Sequence, residues 1–154
     1  MKILVVSDTH GDFFNLKKAV DAQPQADAVI HLGDGEAELD DMRSVCKSKM
    51  FFNVRGNCDF CSSARDSLIR EFEGKRIFAT HGHLYGVKYS LETLIKHAVE
   101  EKADILLFGH THNAFEQYRD GLYILNPGSL KGLDGTYGLI DISSSGIMTN
   151  IIKI

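Results

Sequence analysis

Seven side chains of types that bind divalent metals recur along this sequence, each shortly after an apolar run. Carboxylate, imidazole and amide groups bind divalent first-row metals without help from a thiolate. Seven such groups exceed what one tetrahedral ion takes, and they suit two ions about 3.5–4 Å apart that share a carboxylate. We therefore expect a centre of two divalent ions held by Asp8, His10, Asp34, Asn57, His81, His110 and His112.

The spacing of these residues has a geometric logic. Asp8 and His10, like His110 and His112, are separated by one residue, and side chains two apart in an extended segment leave the backbone on the same side. Taken singly the signals are weak, because a lone His10 is more often a surface residue and Asp34 after a glycine can cap a helix. Their joint occurrence in this order is what predicts a metal centre.

Five apolar segments must position these groups. Each is short and mostly aliphatic or aromatic, which predicts buried strands at residues 3–6, 28–30, 50–54, 76–79 and 105–108. In open α/β sheets, binding sites form at the carboxyl ends of strands. We therefore expect the five strand ends to meet at one rim.

Amphipathic segments between the strands predict helices. The clearest has apolar residues from Leu91 to Val99 on one face and Ser90 as its N-cap. Closer to the end of the chain, the dipeptides at 120–121 and 145–146 predict two hairpins. We expect a first sheet built from strand–helix units, a second and largely antiparallel sheet packed against it, and helices on the outer faces.

The bulk composition is that of an ordinary globular protein. The chain is 44% hydrophobic and 25% charged, and its length predicts one domain over residues 1–154. The net charge of −4 argues against a broad basic surface that would hold a nucleic-acid duplex. No apolar run approaches the roughly 18 residues of a membrane span, and no signal peptide is apparent. We expect a cytoplasmic protein without a membrane partner.

The three cysteines make no disulfide framework, which fits a reducing compartment. Cys58 and Cys61 form a C-x-x-C, but neither a thioredoxin-like setting nor a second pair of ligands accompanies it. A redox pair and a zinc site are therefore less plausible for this motif than an active-site loop. His31, within or just after a buried strand, is expected to be structural.

The order D-x-H, G-D, G-N, H and G-H-x-H resembles the calcineurin-like metallophosphoesterases, and most of all their short bacterial and archaeal phosphodiesterase-type branch. The segment Asn-Pro-Gly-Ser at 126–129 is typical of that branch. The resemblance implies the metallo-dependent phosphatase fold, an α/β four-layered sandwich of two mixed β-sheets flanked by helices. It also implies that each ion has three ligands of its own and one that is shared: Asp8, His10 and His112 for one ion, Asn57, His81 and His110 for the other, and Asp34 as the bridge.

One position departs from many relatives. They carry G-N-H-E or G-N-H-D, in which the histidine contacts the phosphate and helps the leaving group depart. This chain has Cys58 there, a form for which the short branch is known. A thiol with an ordinary pKa of about 8.5 is a weaker acid than imidazolium, so the identity of any general acid stays open. We expect Asn57, Cys58 and His83 to contact the substrate, with Asp34 and Asn57 as the catalytic residues.

These features predict a metal-dependent phosphoesterase. Two divalent ions, two aspartates and a hydroxide that bridges the metals leave the site at about +1, which attracts a phosphoryl group. The ions lower the pKa of the bound water so that the bridging hydroxide attacks phosphorus in line. Because no strong general acid is evident, we expect small phosphodiesters with good leaving groups as substrates. Mn²⁺ is the first expected ion, and Ni, Fe, Co and Zn ions also suit these ligands.

Three other functions stay open at this point. A phosphomonoesterase acting on phosphoproteins is one, although such relatives are longer and keep G-N-H. A non-catalytic protein-binding scaffold is another, because the chain also resembles the small eukaryotic retromer subunit, in which the metal positions are degraded. A DNA-repair nuclease is the third, and the short length and negative net charge disfavour it. Whether the chain forms a homo-oligomer is also open.

Overall fold

Ten β-strands build two five-stranded sheets, and the computed structural model describes residues 1–154. In chain order the strands are β1 (Lys2–Val6), β2 (Ala28–His31), β3 (Met50–Asn53), β4 (Ser67–Phe72), β5 (Lys75–Thr80), β6 (Ile105–Leu107), β7 (Phe115–Arg119), β8 (Leu122–Asn126), β9 (Thr136–Ser143) and β10 (Gly146–Lys153). The helices are α1 (Phe13–Ala22), α2 (Glu36–Val45), α3 (Glu92–Glu100) and a single 3-10 turn (His83–Tyr85).

Both sheets are mixed. In the first, with the order β10-β9-β1-β2-β3, strands β1, β2 and β3 are parallel, and β9 and β10 pair in antiparallel fashion. In the second, with the order β4-β5-β6-β8-β7, strands β5, β6 and β8 are parallel, and β4 and β7 form antiparallel edges. Each sheet therefore presents the carboxyl ends of three parallel strands.

Alternation along the strands explains the layers. In β1, Ile3 and Val5 pack into a core cluster shared with β5 and β6 of the second sheet. Leu4 and Val6 point to the opposite face, where they pack with Leu16 of α1, because successive strand residues face opposite sides. On the outer face of the second sheet, α3 packs against β5 and β6 in the same way. The helix–sheet–sheet–helix order confirms the predicted four-layered sandwich.

The division of strands between the sheets differs from the expectation. The predicted strands at 76–79 and 105–108 belong to the second sheet, so that sheet is not largely antiparallel. The chain crosses between sheets after β3, through residues 54–66 and without a helix. It then forms β4, which was not predicted. All six residues of β4 are half-buried or exposed, as expected of an edge strand, and β4 lacks the continuous apolar run of a buried strand.

Helix α3 begins later than expected. Its first residue is Glu92, its N-cap position is Leu91, and Ser90 accepts a hydrogen bond from the Glu92 backbone N–H at 3.2 Å without occupying the N-cap. Val99, expected on the buried face, is exposed. Both predicted hairpins are present as β7–β8 and β9–β10. None of the helices has the length and apolar content needed to cross a membrane.

Candidate metal centre

All seven candidate ligands lie in loops that follow parallel strands, at one rim shared by both sheets. Asp8 and His10 follow β1, Asp34 follows β2 and Asn57 follows β3, whereas the other three, His81, His110 and His112, follow β5 and β6 of the second sheet. Backbone hydrogen bonds join these loops, from the Asp8 N–H to the Gly33 carbonyl at 3.0 Å and from the Gly109 N–H to the His81 carbonyl at 3.1 Å. The predicted rim is therefore present.

The donor atoms of the seven residues form one continuous group. Nε2 of His112 lies 3.1 Å from Asp8 Oδ1 and 3.3 Å from Nε2 of His10. Nε2 of His10 lies 3.8 Å from Asp34 Oδ2. Ligands about 2.0–2.2 Å from one ion lie roughly 3–3.5 Å from each other. The first two distances lie in this range and the third is slightly longer, so these atoms are close enough to share one bound ion.

A second set of donors surrounds Nε2 of His81. That nitrogen lies 3.0 Å from Asn57 Oδ1, 3.2 Å from His110 Nδ1 and 3.5 Å from Asp34 Oδ2. Nδ1 of His81 lies 2.7 Å from the Leu32 carbonyl oxygen, which only accepts hydrogen bonds, so the ring proton of a neutral His81 is on Nδ1. Its Nε2 then presents a lone pair to Asn57 Oδ1 and Asp34 Oδ2, which are also acceptors. A histidine that donates to a carbonyl through its second nitrogen is the usual arrangement of a metal ligand.

Asp8 provides an independent test of whether a cation fits. The residue is fully buried, and its Oδ2 accepts hydrogen bonds from Ser7 Oγ at 2.5 Å and the His110 backbone N–H at 3.1 Å. Its Oδ1 is buried without any hydrogen-bond partner. A buried carboxylate oxygen without a partner is costly, and a cation between Asp8 and His112 would offset that cost. The residues present therefore fit divalent ions.

The carboxylate of Asp34 is oriented by a neighbouring loop. Its Oδ1 accepts a hydrogen bond from the Cys58 backbone N–H at 2.7 Å. Its Oδ2 is left to face Nε2 of His10 on one side and Nε2 of His81 on the other. A single oxygen thus lies between the two sets of donors.

Left-handed backbone is concentrated at this rim. Among the residues other than glycine, five of the eight with positive φ are candidate ligands: Asp8, His10, Asp34, His110 and His112. Aspartate and histidine enter this region more readily than most residues, yet strain of this kind clusters at functional sites. The D-x-H and H-x-H pairs therefore do not converge through an extended backbone, as the spacing argument assumed. They converge because left-handed residues turn the chain inward.

The pKa is lowered for three histidines of this region, His110, His83 and His31. Burial, the charge of His81 and the charge of Lys88 lower the pKa of His110 to about 4, and burial followed by the charge of His81 also lowers the pKa of His83. Burial lowers the pKa of His31 to about 4 as well. Metals bind neutral imidazole, so His110 needs no proton loss at neutral pH.

The residues expected to contact substrate line two cavities beside the ligands. Asn57 and His83 border one of about 260 Å³, together with Arg55 and Phe60. Cys58 borders a neighbouring one of about 480 Å³, which has an acidic wall. Arg55 is already paired with Asp66 through bonds of 3.0 and 2.7 Å.

His31 has the structural role that was expected. It is buried, its Nδ1 accepts a hydrogen bond from the Gly33 N–H at 3.1 Å, and its Nε2 lies 3.2 Å from Thr9 Oγ1. Since Thr9 Oγ1 donates to Glu38 at 2.9 Å, it accepts from His31. His31 thus joins the loops of Asp8 and Asp34 as a neutral side chain.

Several residues that support the ligands were missed in the sequence. Glu38 accepts hydrogen bonds from Thr9 Oγ1 and the Gly11 N–H, on either side of His10. Asn126 donates to the Gly109 carbonyl at 3.1 Å, next to His110. In the sequence, the segment at 126–129 was recognisable only as a family trait. No local pattern marks Glu38, because a helix residue becomes the neighbour of a distant loop only after folding.

Known proteins similar to this chain are named as phosphoesterases. Residues 1–145 match the calcineurin-like phosphoesterase superfamily domain. The probable metallophosphoesterase YsnB of Bacillus subtilis strain 168 is 35% identical over 132 residues, covering 85% of this chain and 76% of YsnB. Phosphodiesterase YfcE of Escherichia coli strain K12 is 28% identical over 172 aligned positions, covering 92% of this chain and 88% of YfcE. A predicted phosphoesterase of Streptococcus pneumoniae TIGR4 has a crystal structure that matches with a TM-score of 0.84 at 30% identity, covering 99% of this chain and 88% of that one.

Proposed function

We propose that this chain, which belongs to the calcineurin-like phosphoesterase superfamily, hydrolyses small phosphodiesters at a centre of two divalent ions. Its family and its named relatives make it a metal-dependent phosphoesterase. The observation that best supports the two-ion centre is the Nε2 lone pair of a neutral His81, which faces the acceptor oxygens Asn57 Oδ1 and Asp34 Oδ2 and lies 3.2 Å from Nδ1 of His110. A cation among these atoms would make that arrangement favourable.

The ligands divide into two sets around Asp34. One ion would be held by Asp8, His10 and His112, and the other by Asn57, His81 and His110. Oδ2 of Asp34 lies within 3.8 Å of Nε2 of His10 and 3.5 Å of Nε2 of His81, which supports its role as the bridge. The nitrogen and oxygen donors suit Mn²⁺ first, with Ni, Fe, Co and Zn ions as alternatives.

Divalent cations, when bound, activate water and offset the charge of the phosphoryl oxygens. The chain's own contribution is to hold its donors in place. The carboxylates of Asp8 and Asp34 would also neutralise part of the positive charge of the cations. Asn57 has a second role, because its Oδ1 faces His81 while its Nδ2 lies 3.3 Å from Cys58 Sγ at the mouth. An amide nitrogen at that position can donate a hydrogen bond to a phosphoryl oxygen. His83, whose Nδ1 lacks a partner, borders the same cavity.

The preference for diesters rests on the absence of a strong proton donor. Burial and a hydrogen bond with Asp34 raise the pKa of Cys58, so its thiol donates a proton poorly at neutral pH. Both carboxylate oxygens of Asp59 accept backbone hydrogen bonds, which leaves Asp59 unable to serve as the acid in its place. A substrate whose leaving group is stable as an anion needs no such donor. A monoanionic diester also matches a site near +1 better than a dianionic monoester does.

The test is a comparison of matched aryl monoesters and diesters on protein that has been stripped of metal and reloaded with single ions. We expect Mn²⁺ to restore hydrolysis, with the diester the faster substrate, and we expect Asp8→Asn to abolish it. Faster hydrolysis of the monoester would indicate a phosphomonoesterase. A protein that binds ions but hydrolyses neither class would be a scaffold.

A further inference from the structure

The carboxylate of Asp59 lies where the loop after β2 meets the loop after β3. Its Oδ2 accepts hydrogen bonds from the backbone N–H groups of Asp34 and Gly56, each at 2.8 Å. Its Oδ1 accepts from the N–H groups of Gly35 at 3.0 Å and Glu36 at 3.2 Å. Four backbone donors from two loops are therefore gathered on one side chain.

Three of these donors are consecutive residues at the start of α2. Asp34 has a φ of 59° and Gly35 has a φ of 166°, and this turn directs three successive N–H groups toward one carboxylate, as in an anion-binding nest. The same N–H groups lie at the positive end of the α2 dipole. Gly35, at the N-cap position, has no side chain that could cap the helix. Asp59, from another loop, provides the anion that this nest requires.

The contact between the two loops is reciprocal. The carboxylate of Asp59 accepts from the backbone of Asp34, and the carboxylate of Asp34 accepts from the backbone of Cys58, the residue before Asp59. The backbone and the side chain of Asp34 are thus both held by the segment at 56–59. This arrangement leaves only Oδ2 of Asp34 facing the two sets of metal donors.

From this geometry we infer that Asp59 is a positioning residue, which orients Asp34 between the two ion sites before any ion binds. The inference rests on the proposed function, because it assigns Asp59 to the support of the bridging ligand. Asp59 itself would contact neither ion, because its two carboxylate oxygens already accept four backbone hydrogen bonds. Removal of outer-shell partners of this kind typically weakens metal binding by about 10–100-fold.

The test uses Asp59→Asn in the full chain, freed of metal and titrated with Mn²⁺ by calorimetry. We expect about 10–100-fold weaker binding, and a smaller electron paramagnetic resonance signal from spin-coupled Mn²⁺ pairs relative to isolated ions. The matched control is Asp104→Asn. Asp104 also accepts a backbone hydrogen bond, from Arg76 at 2.8 Å, but it precedes β6 and lies away from the rim. We expect wild-type binding in that control.

Either of two results from the Mn²⁺ titrations would overturn the inference. If Asp59→Asn unfolds more easily but keeps the wild-type affinity and spectrum, Asp59 is only a helix cap and the proposed function survives. If the wild type itself binds no Mn²⁺, both proposals fail. Should Asp59→Asn not fold, amide hydrogen exchange of the metal-free wild type decides. We expect protection at Asp34, Gly35, Glu36 and Gly56, and exchange at free-loop rates until Mn²⁺ is added would overturn the inference.

Discussion

Oδ1 of Asp8 and Nε2 of His112 lie 3.1 Å apart, although Asp8 follows β1 of the first sheet and His112 follows β6 of the second. An ion held by both would tie the two sheets together at one rim. The same is true of Asp34 and His81, which come from different sheets and approach to 3.5 Å. Ion binding and the stability of the sandwich are therefore expected to be coupled.

The first prediction follows from that coupling. Saturating Mn²⁺ should raise the free energy of unfolding, since a ligand that binds only the folded state stabilises it by about 2.7 kcal/mol at 100 times its dissociation constant. Thermal melts of metal-free protein at increasing Mn²⁺ concentrations measure the effect. An unfolding temperature that stays constant while calorimetry detects bound Mn²⁺ would contradict the coupling.

Asp34→Asn should weaken both ion sites together. The asparagine Oδ1 can still accept the hydrogen bond from Cys58, so the loop keeps its shape, but a neutral amide replaces the oxygen between His10 and His81. We expect the Mn²⁺ affinity to fall by at least about 10-fold, because loss of an outer-shell partner alone typically weakens metal binding by about 10–100-fold. Asp40→Asn is the control, because Asp40 borders the neighbouring cavity but pairs with Arg43. Unchanged metal content in Asp34→Asn would exclude the bridging role.

Gly56→Ala should damage the centre and lower the diesterase activity per folded molecule. A Cβ at this position would lie 2.0 Å from Oδ1 of Asp34 and 2.3 Å from its backbone nitrogen, so Asp34 would have to move. We expect diesterase activity to fall by more than about 10-fold, because misplacement of a catalytic group by about 1 Å has a cost of that order or larger. Gly138→Ala, which would crowd Leu125 in the core between the sheets, is the control. It should lose stability but keep its activity per folded molecule.

The free energy of unfolding of the metal-free protein should decrease as the pH falls, because His31 takes up a proton more easily in the unfolded state. Burial lowers the pKa of His31 to about 4, whereas the unfolded chain has the ordinary value of 6.5. Below pH 6.5 the unfolded state takes up a proton that the folded state accepts only near pH 4, so stability is lost as the pH falls through this window. The loss should be about 1.4 kcal/mol per pH unit. Chemical unfolding of wild type and His31→Gln from pH 7 to pH 4 checks it, and parallel curves would show that His31 does not contribute.

The sequence was sufficient to predict the residues of the rim and the layer order, because both depend on short-range patterns. Buried parallel strands appear as continuous apolar runs, and ligands follow such runs at their carboxyl ends. Asp8 and His110 were found in this way.

The division of strands between the sheets could not be read locally. The same apolar run fits either sheet, and only the crossover after β3 decides that β5 pairs with β6 and not with β1. The contact of Asp59 with the backbone of Asp34 could not be predicted from the sequence for a related reason. Its role depends on the left-handed turn at Asp34, and no pattern of residue types predicts which backbone donors will converge on a carboxylate.

The last prediction concerns the leaving group. Cys58 lies at the mouth with its backbone N–H bonded to Asp34, and its thiol is a poor proton donor. General acid catalysis typically contributes about 10²–10⁴-fold, and its absence slows a poor leaving group most. The rate of diester hydrolysis should therefore fall steeply as the pKa of the leaving group rises, and Cys58→His should flatten that dependence by supplying an acid at the same position.

The measurement is kcat/KM across a series of aryl phosphodiesters with graded leaving-group pKa, for wild type, Cys58→His and Cys58→Ser. The serine variant is the matched control, because it keeps the size of the side chain but supplies no acid, and it should keep the steep slope. Activity should be lost on metal chelation in all three proteins. A shallow slope in the wild type would mean that another group protonates the leaving oxygen. His83 would then be the first residue to replace, since both oxygens of Asp59 are bonded to the backbone whereas Nδ1 of His83 has no partner.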